Sequence, residues 1–381
     1  MKSRLMRAVA AVAVVSATAA LCACSSGGLG GNSASGSVIP KGQSVNIIGT
    51  QNQIEPITKF CGTKPITVAL ADGFGGNAWR KTSRALFTDD AKKCPNIKKI
   101  IYTDAQNDPQ KAISDINSLV AQHVNVIVVF ADAGQALLPT IKKATAAGVK
   151  VVAYVGSPGG VPGKDYVAFV SEDIQSYGAT LATWTIKHMG GKGNLVMLGG
   201  IAGNSYSQSV FNGVKEVAAK YPGIHLLNPG GPIATDWVPG TTQQVVAGLI
   251  TKYGTINGIV SDYGGGSVGG IRAFLAAGKP IPVWSANDSN SFACLWYQYH
   301  STQPDYQIAT ESSRNWEVEV ALHKGLAAYN GIVDNEPDVY ELNIIEDSTN
   351  PAMMPKCVPS LPQDAILSSG LSIAQQKQLF G

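Results

Sequence analysis

The chain alternates short apolar runs with longer amphipathic stretches. Ile66–Leu70, Ile100–Thr103, Val126–Phe130 and Val149–Val155 are four to seven residues long and almost wholly apolar. Such runs predict strands buried on both faces. Between them, Trp79–Lys92, Gln110–Gln122 and Ala136–Ala147 carry apolar residues at helical spacing, and Gly148 closes the third as a C-terminal cap. Strands that alternate with helices predict parallel βαβ units. The pattern then restarts with Asn194–Leu198, Ile224–Leu227, Gly258–Ser261 and Ile281–Trp284. First strands of the two sets lie 128 residues apart; third and fourth strands each lie 132 apart. The turns echo as well, with Gly75-Gly76-Asn77 after the first strand and Gly203-Asn204-Ser205 after its counterpart. The pattern predicts two similar α/β lobes in tandem. In such sheets the crevice lies beyond the carboxyl ends of the strands, so two facing lobes would form a clamp around a small molecule.

The N-terminus has a different character. Lys2, Arg4 and Arg7 precede the small, apolar stretch Ala8–Ala20 and then Leu21-Cys22-Ala23-Cys24. This is the form of an export signal that ends in a lipobox. The expectation is cleavage before Cys24, which receives the lipid; Cys22 is the competing acceptor, and a plain signal peptide with incidental cysteines is the alternative. Ser25–Ser37 is nearly all Gly, Ser, Asn and Ala, a composition expected to act as a leash. The expected divisions are a signal at 1–23 and a lipidated tether at 24–43. The protein would then be anchored on the outer face of a membrane.

The signal also accounts for the charge. The chain has 29 basic and 26 acidic residues, and three of the basic ones lie in residues 1–23. Without them the balance is neutral, so the sequence pI of about 8.4 belongs largely to the signal. A neutral body with scattered charge argues against nucleic acid as a partner. Of six cysteines, Cys61, Cys94, Cys294 and Cys357 remain after the signal and the lipid site, which allows three pairings in an oxidising compartment. No CxxC occurs and the five histidines lack ligand spacing, so no metal is expected.

Several segments together resemble the type I periplasmic substrate-binding proteins of ABC importers, in their ribose- and galactose-binding branch. Thr103-Asp-Ala-Gln-Asn-Asp-Pro-Gln-Lys111, Gly200-Ile-Ala-Gly203 and Ala276-Ala-Gly-Lys279 carry the likeness, which spans roughly residues 65–345. The resemblance implies an α/β fold of two Rossmann-like lobes joined by a three-strand hinge. The crossings would fall near Ser171–Ile174, Glu311–Arg314 and Asn343–Asp347. The N-terminal lobe would hold 44–171 plus 313–345, and the C-terminal lobe 172–312 plus 346–381. Keeping each bridge within one lobe favours Cys61–Cys94 and Cys294–Cys357. The implied function is capture of a sugar or polyol by a monomeric protein that hands it to an ABC permease, with no cofactor.

By the same resemblance, pocket residues follow strand ends. Asn77 and Trp79 match an Asn and an aromatic after the first strand, with helix capping and packing as their alternative roles. Asp132 occupies a polar ligand position after the third strand, or else caps the next helix. Tyr154 stands in a segment, Tyr154-Val155-Gly156, that replaces the family's Asp-Arg. In the second lobe Gln208 stands where ribose binders have arginine, and Asp236 and Trp237 match an Asp-aromatic pair. Asp262-Tyr263 replaces Asn-Asp, and Asp288 follows the fourth strand. These replacements lead to a pocket expected to lack cationic forks and to be rich in aromatic surface, which favours a neutral ligand.

Two enzyme motifs compete. Gly73-x-Gly75-x-x-Ala78 fits a dinucleotide fingerprint, although an exported protein has little access to nicotinamide cofactors. Gly265-x-Ser267-x-Gly269 fits a nucleophile elbow, which would make an exported serine hydrolase, with His300 or His323 as the base. A transcriptional repressor of the same fold would need a helix-turn-helix where the signal and leash stand.

Overall fold

The computed structural model describes residues 38–381. The signal, Cys22, Cys24 and the leash Ser25–Ser37 lie outside the described residues. Two parallel sheets dominate. The first lobe contributes β1 (Ile48–Gly49), β2 (Ile66–Asp72), β3 (Ile97–Asp104), β4 (Val126–Val129), β5 (Lys150–Tyr154) and β6 (Ala168–Glu172). The second contributes β7 (Lys192–Gly199), β8 (Gly223–Leu226), β9 (Ile233–Ala234), β10 (Gly258–Ser261), β11 (Val283–Asn287) and β12 (Ile308–Glu311). Then β13 (Val339–Tyr340) returns to the first sheet and β14 (Ile344–Asp347) to the second. The orders are β3-β2-β4-β5-β6-β13-β1 and β8-β7-β10-β11-β12-β14, with β9 on β7. Among the described strands only β14 runs antiparallel to its neighbour. Strand interiors such as Val126–Val129 and Gly258–Ser261 are wholly buried, because helices cover both faces of each sheet.

The helices are α1 (Ala78–Lys92), α2 (Pro109–Ala121), α3 (Leu138–Ala146), α4 (Ile174–His188), α5 (Ser205–Ala218), α6 (Pro239–Tyr253), α7 (Gly264–Ala276), α8 (Asn290–Tyr299), α9 (Glu317–Asn330) and α10 (Ile373–Phe380). Asn77, Asp108, Asp173 and Asn204 each cap a helix with a side-chain oxygen. Local chemistry also moves two strand boundaries. The fourth strand of the second lobe starts at Val283 rather than Ile281, since Pro280 and Pro282 have no N–H for the ladder. β5 stops at Tyr154 because Val155 turns to φ +55°.

The glycines of the second lobe set helix spacing. A Cβ on Gly178 of α4 would lie 2.1 Å from the carbonyl oxygen of Val210, and one on Gly213 of α5 would lie 2.0 Å from that of Gln175. In α7, a Cβ on Gly264 would strike Asn287 and one on Gly269 the carbonyl of Pro239. The Gly264–Gly270 run is therefore a packing surface. Ser267 within it is fully buried, donating to the Tyr263 carbonyl at 3.0 Å and accepting from Trp284 Nε1 at 3.1 Å. A nucleophile must be exposed at the top of its turn, so the elbow reading fails.

The chain crosses between sheets at Glu172–Asp173, in the segment Ser312–Asn315 and at Glu341–Asn343. The third crossing is complete by Ile344, two residues before the expected end of the first lobe. The disulfides are Cys61–Cys94 and Cys294–Cys357, the expected pairing, with Cα separations of 5.3 and 4.7 Å. The C-terminal tail departs from expectation. Residues 346–381 were assigned to the second lobe, yet α10 lies on α1 of the first, where Gln375 Nε2 donates to Asp89 Oδ2 at 2.7 Å.

Gly178→Ala and Gly213→Ala should each lower the unfolding free energy by about 1–3 kcal/mol, the range for overpacking a tight contact. Urea titration of each variant checks this, with Gly248→Ala as a control at an exposed site where a Cβ meets nothing.

A two-lobed cleft with paired tryptophans

The ends of β2, β4, β5, β10 and β11 face one another across the cleft, and their loops build a site with an open volume of about 310 Å³. The first lobe supplies Asn77, Trp79, Arg80, Phe130 and Val155. The second supplies Tyr206, Trp237, Asp262, Tyr263 and Asn287, and the second crossing supplies Arg314.

Asn77 combines both roles foreseen for it. Its side chain caps α1 by accepting from Arg80 N at 3.0 Å, and it also faces the cleft. Trp79 is held from two sides. Its indole N–H donates to the Ser313 carbonyl at 2.7 Å, and its ring stacks on Tyr154 at 6.3 Å and 15°. Tyr154 is thus fully buried behind Trp79 and backs the site rather than lining it. Burial pushes its phenol well above the ordinary range.

On the opposite lobe, Trp237 lies over Gly200 so closely that a Cβ there would fall 1.9 Å from the indole. Its N–H donates to Asp262 Oδ1 at 2.9 Å, while the Ser207 hydroxyl donates to the other oxygen. Trp237 stands at φ +54°, beside Asp236 at +55°. Val155 and Arg314, also in the site, stand at +55° and +48°. A left-handed backbone is costly for a β-branched or bulky residue. Three such residues in one cleft mark a geometry that the surrounding fold imposes.

Two arginines line the site, contrary to the expectation that cationic forks would be lacking. Arg80 is buried, with Nη1 2.6 Å from Asp72 and Nη2 2.8 Å from Asp132; its guanidinium carbon lies 3.3 Å from the Phe130 ring centroid. Arg314 pairs with Glu172 at 2.5 Å and donates to the Tyr206 hydroxyl. Neither follows a strand end in the family's pattern. Arg80 was overlooked beside Trp79, where the one-turn reach of α1 back to Asp72 was the available signal. Arg314, Tyr206 and Phe130 depend on long-range packing, and no local motif marks them.

The remaining expected residues lie elsewhere. Asp132 sits at the rim, bridging Arg80 and, across the cleft, Asn204 Nδ2 at 3.1 Å. The lobes are therefore in contact and the clamp is closed. Tyr263 adds to this contact, its phenol oxygen facing the amides of Ala78 and Trp79 at the start of α1. Gln208 is exposed on α5 and donates to Asn212 at 3.0 Å. Asp236 is exposed. Asp288 is buried but engaged with the tail: Oδ2 accepts from Ser368 N, and Oδ1 from Ser313 N at 2.8 Å and from the Ser368 hydroxyl.

Burial holds two carboxyls of the site above the usual range, Asp132 and Asp262 both at about 6. Among the described residues no group of three or more His, Cys, Asp or Glu side chains is arranged to hold a metal.

Two facing α/β lobes that close on a small aromatic-and-polar cleft define a class of protein, the hinged solute binder. The chain belongs to the periplasmic binding protein domain family, which it matches over residues 68–297. Members of that family are binding proteins rather than enzymes. It is 28% identical over 197 residues to a xylitol-binding protein of Mycolicibacterium smegmatis, a match covering 51% of this chain and 54% of that one. It is 27% identical over 205 residues to the multiple sugar-binding periplasmic protein SbpA of Azospirillum brasilense, covering 49% and 57%. These matches span little more than half the length of either relative. Among solved structures, a solute binding protein of an ABC transporter from Thermobispora bispora superposes with a TM-score of 0.67 at 22% identity, covering 82% of this chain and 94% of that one. A solute binding protein from Mycobacterium smegmatis with bound glycerol gives 0.65 at 16%, covering 77% and 98%. Both show the same fold.

The raised carboxyls have a stability consequence. Their folded pKa of about 6 exceeds the ordinary 3.8, so the folded state holds protons that the unfolded state has lost. Stability from these groups is greatest below about pH 4 and falls as pH rises to about 6. Asp262→Asn should remove part of that fall, which urea unfolding at pH 4, 5, 6 and 7 would show.

Proposed function

We propose that this protein captures a neutral sugar or polyol by hinge closure and delivers it to an ABC permease from a lipid anchor. The observation that carries the reading is the pair Trp79 and Trp237, brought from opposite lobes to one small cleft rimmed by Asn77, Arg80, Asp262, Asn287 and Arg314. Indole faces suit the C–H side of a sugar or polyol, and planar amide, carboxylate and guanidinium groups suit its hydroxyls. Each arginine already faces carboxylates, Arg80 two of them and Arg314 one, so the cleft has no free positive charge to offer an anion. The relatives named for xylitol and for multiple sugars, and the related structure with bound glycerol, support the same chemistry.

Closure works through the hinge. Ligand would bind to one lobe of an open form, and contacts from the second lobe would then favour the closed form over the open one. Trp79, Trp237, Asn77, Asp262, Tyr263 and Asn287 are the proposed ligand contacts. Asp132 and Tyr263 act also between the lobes, and Tyr154 supports Trp79. The lipid on Cys24 and the leash that follows would keep the clamp beside its permease.

Two experiments test this reading. Calorimetry of residues 38–381 against pentoses, hexoses, pentitols and inositols should find a ligand in the micromolar range, roughly −8 kcal/mol. Trp79→Ala and Trp237→Ala should each weaken that ligand at least tenfold, about 1.4 kcal/mol, with the melting transition retained. Unchanged affinity in both variants would refute the site. For the anchor, Cys24→Ser should move the expressed full chain from the membrane fraction to the soluble one, whereas continued membrane retention would exclude a lipid on this cysteine.

A further inference from the structure

After β14 the chain makes a fourth passage between the lobes, and this passage is held by side chains. It begins on the second lobe, where Cys357 is bonded to Cys294 of α8. The next residues cover the start of that helix. Asn290 Oδ1 accepts from Val358 N at 2.9 Å, Asn290 N donates to Ala365 O at 2.9 Å, and Ser291 N donates to Gln363 O at 3.1 Å. The tail then reaches the hinge. Ser368 N donates to Asp288 Oδ2 at 2.9 Å, and the Ser368 hydroxyl accepts from Ser313 N, also at 2.9 Å. Asp288 directly follows β11, and Ser313 lies on the second crossing.

Past the hinge the tail joins the first lobe. Gly370, at φ +93°, faces Leu86 of α1, and Leu371 is buried. Ser372 caps α10, whose Gln375 bonds Asp89 of α1. The buried Gln376 ties the helix back to the tail, with Oε1 accepting from Ile366 N at 2.9 Å and Nε2 donating to Leu371 O at 3.1 Å.

We propose that residues 357–381 form a strap that restrains the lobes toward the closed clamp, fixed covalently to the second lobe and releasably to the first. The reasoning concerns slack. Three residues separate Ser368 at the hinge from Ser372, the cap of α10. Fully extended, that link spans at most about 14 Å. When the lobes part, α1 moves away from the starts of α7 and α8, and so short a link cannot absorb the motion. One anchor must yield. The disulfide is covalent, and Asp288, itself buried, holds Ser368 through both its carboxylate oxygens. The helix α10 has eight residues of which only Gln376 is buried, and Ile373 is 54% exposed, so the α10–α1 contact is the one that gives. The strap then adds the cost of that detachment to every opening.

The proposal rests on the hinged-clamp reading, and its test reads lobe motion without ligand. Spin labels on Asn117→Cys of α2 and Lys252→Cys of α6, both exposed, report the lobe–lobe distance in the ligand-free protein. Deletion of residues 372–381 should lengthen and broaden that distance distribution and speed release of any bound sugar at least threefold. Gln375→Glu, which sets two carboxylates against each other on the surface, should act in the same direction, and Asp89→Lys added to it should restore the wild-type distance. An unchanged distribution in Gln375→Glu and in a deletion variant that still melts cooperatively would overturn the strap. Should the deletion fail to fold, Gln375→Glu and its rescue decide alone. Failure to find any sugar ligand would leave the distance measurement intact, so the two readings fail separately.

Discussion

Arg314 is the point at which hinge, lobes and cleft meet. It lies on the second crossing and pairs with Glu172 on the first. It donates to Tyr206 on the second lobe, and it forms part of the cleft wall. A guanidinium so deeply buried is tolerable only with a charged partner and directed hydrogen bonds. Its neighbours reflect that cost. Burial pushes Glu311 up to about 8 and raises Glu317 as well, so both favour the neutral form. Changing this pair would disturb the hinge and the cleft together.

The cleft follows from the parallel topology. Every central strand of both sheets ends toward the space between the lobes, so turns that leave strand ends converge there. Convergence alone does not orient side chains. Trp237 keeps its place because Gly200 leaves room beneath it and Asp262 holds its N–H. Trp79 keeps its place because Tyr154 backs it and Ser313 on the hinge accepts its N–H. Left-handed backbone at Val155, Trp237 and Arg314 concentrates strain in the walls of the cleft.

The far side of the first lobe is stitched differently. His323 lies between Asp90 and Glu336, which hold it in the charged form up to about pH 9 despite its burial. Lys324 faces Asp334 and Asp338. Asp338 in turn accepts from Ile47 N, and Glu336 from Glu55 N at 2.7 Å. This buried network ties the segment around Ile47 and Glu55 onto α9. Lys150, at the start of β5, donates to Val38 O at 3.3 Å. The first described residues thus lie at the amino-terminal ends of the first lobe's strands, away from the cleft.

Periodicity and composition were enough to determine two repeated α/β lobes, because buried parallel strands and amphipathic helices write their burial directly into local order. The family resemblance also pointed to Asn77, Trp79, Trp237, Asp262 and Tyr263, all of which the fold brings to the cleft. Gln208, Asp236 and Asp288 were named by the same reasoning. Their final directions depend on the pitch of α5, on a left-handed turn, and on a tail 80 residues away. Arg80 and Arg314 were missed because a buried cation is selected by partners distant in sequence: Asp132 lies 52 residues from Arg80, and Tyr206 108 from Arg314. The course of the C-terminal strap was likewise decided only in three dimensions. The sequence by itself determined the main buried strands of both lobes and the helices of the first, since those depend on neighbours a few residues apart. Tertiary structure alone decided which polar groups share a buried space, because that depends on contacts between segments that the chain keeps far apart.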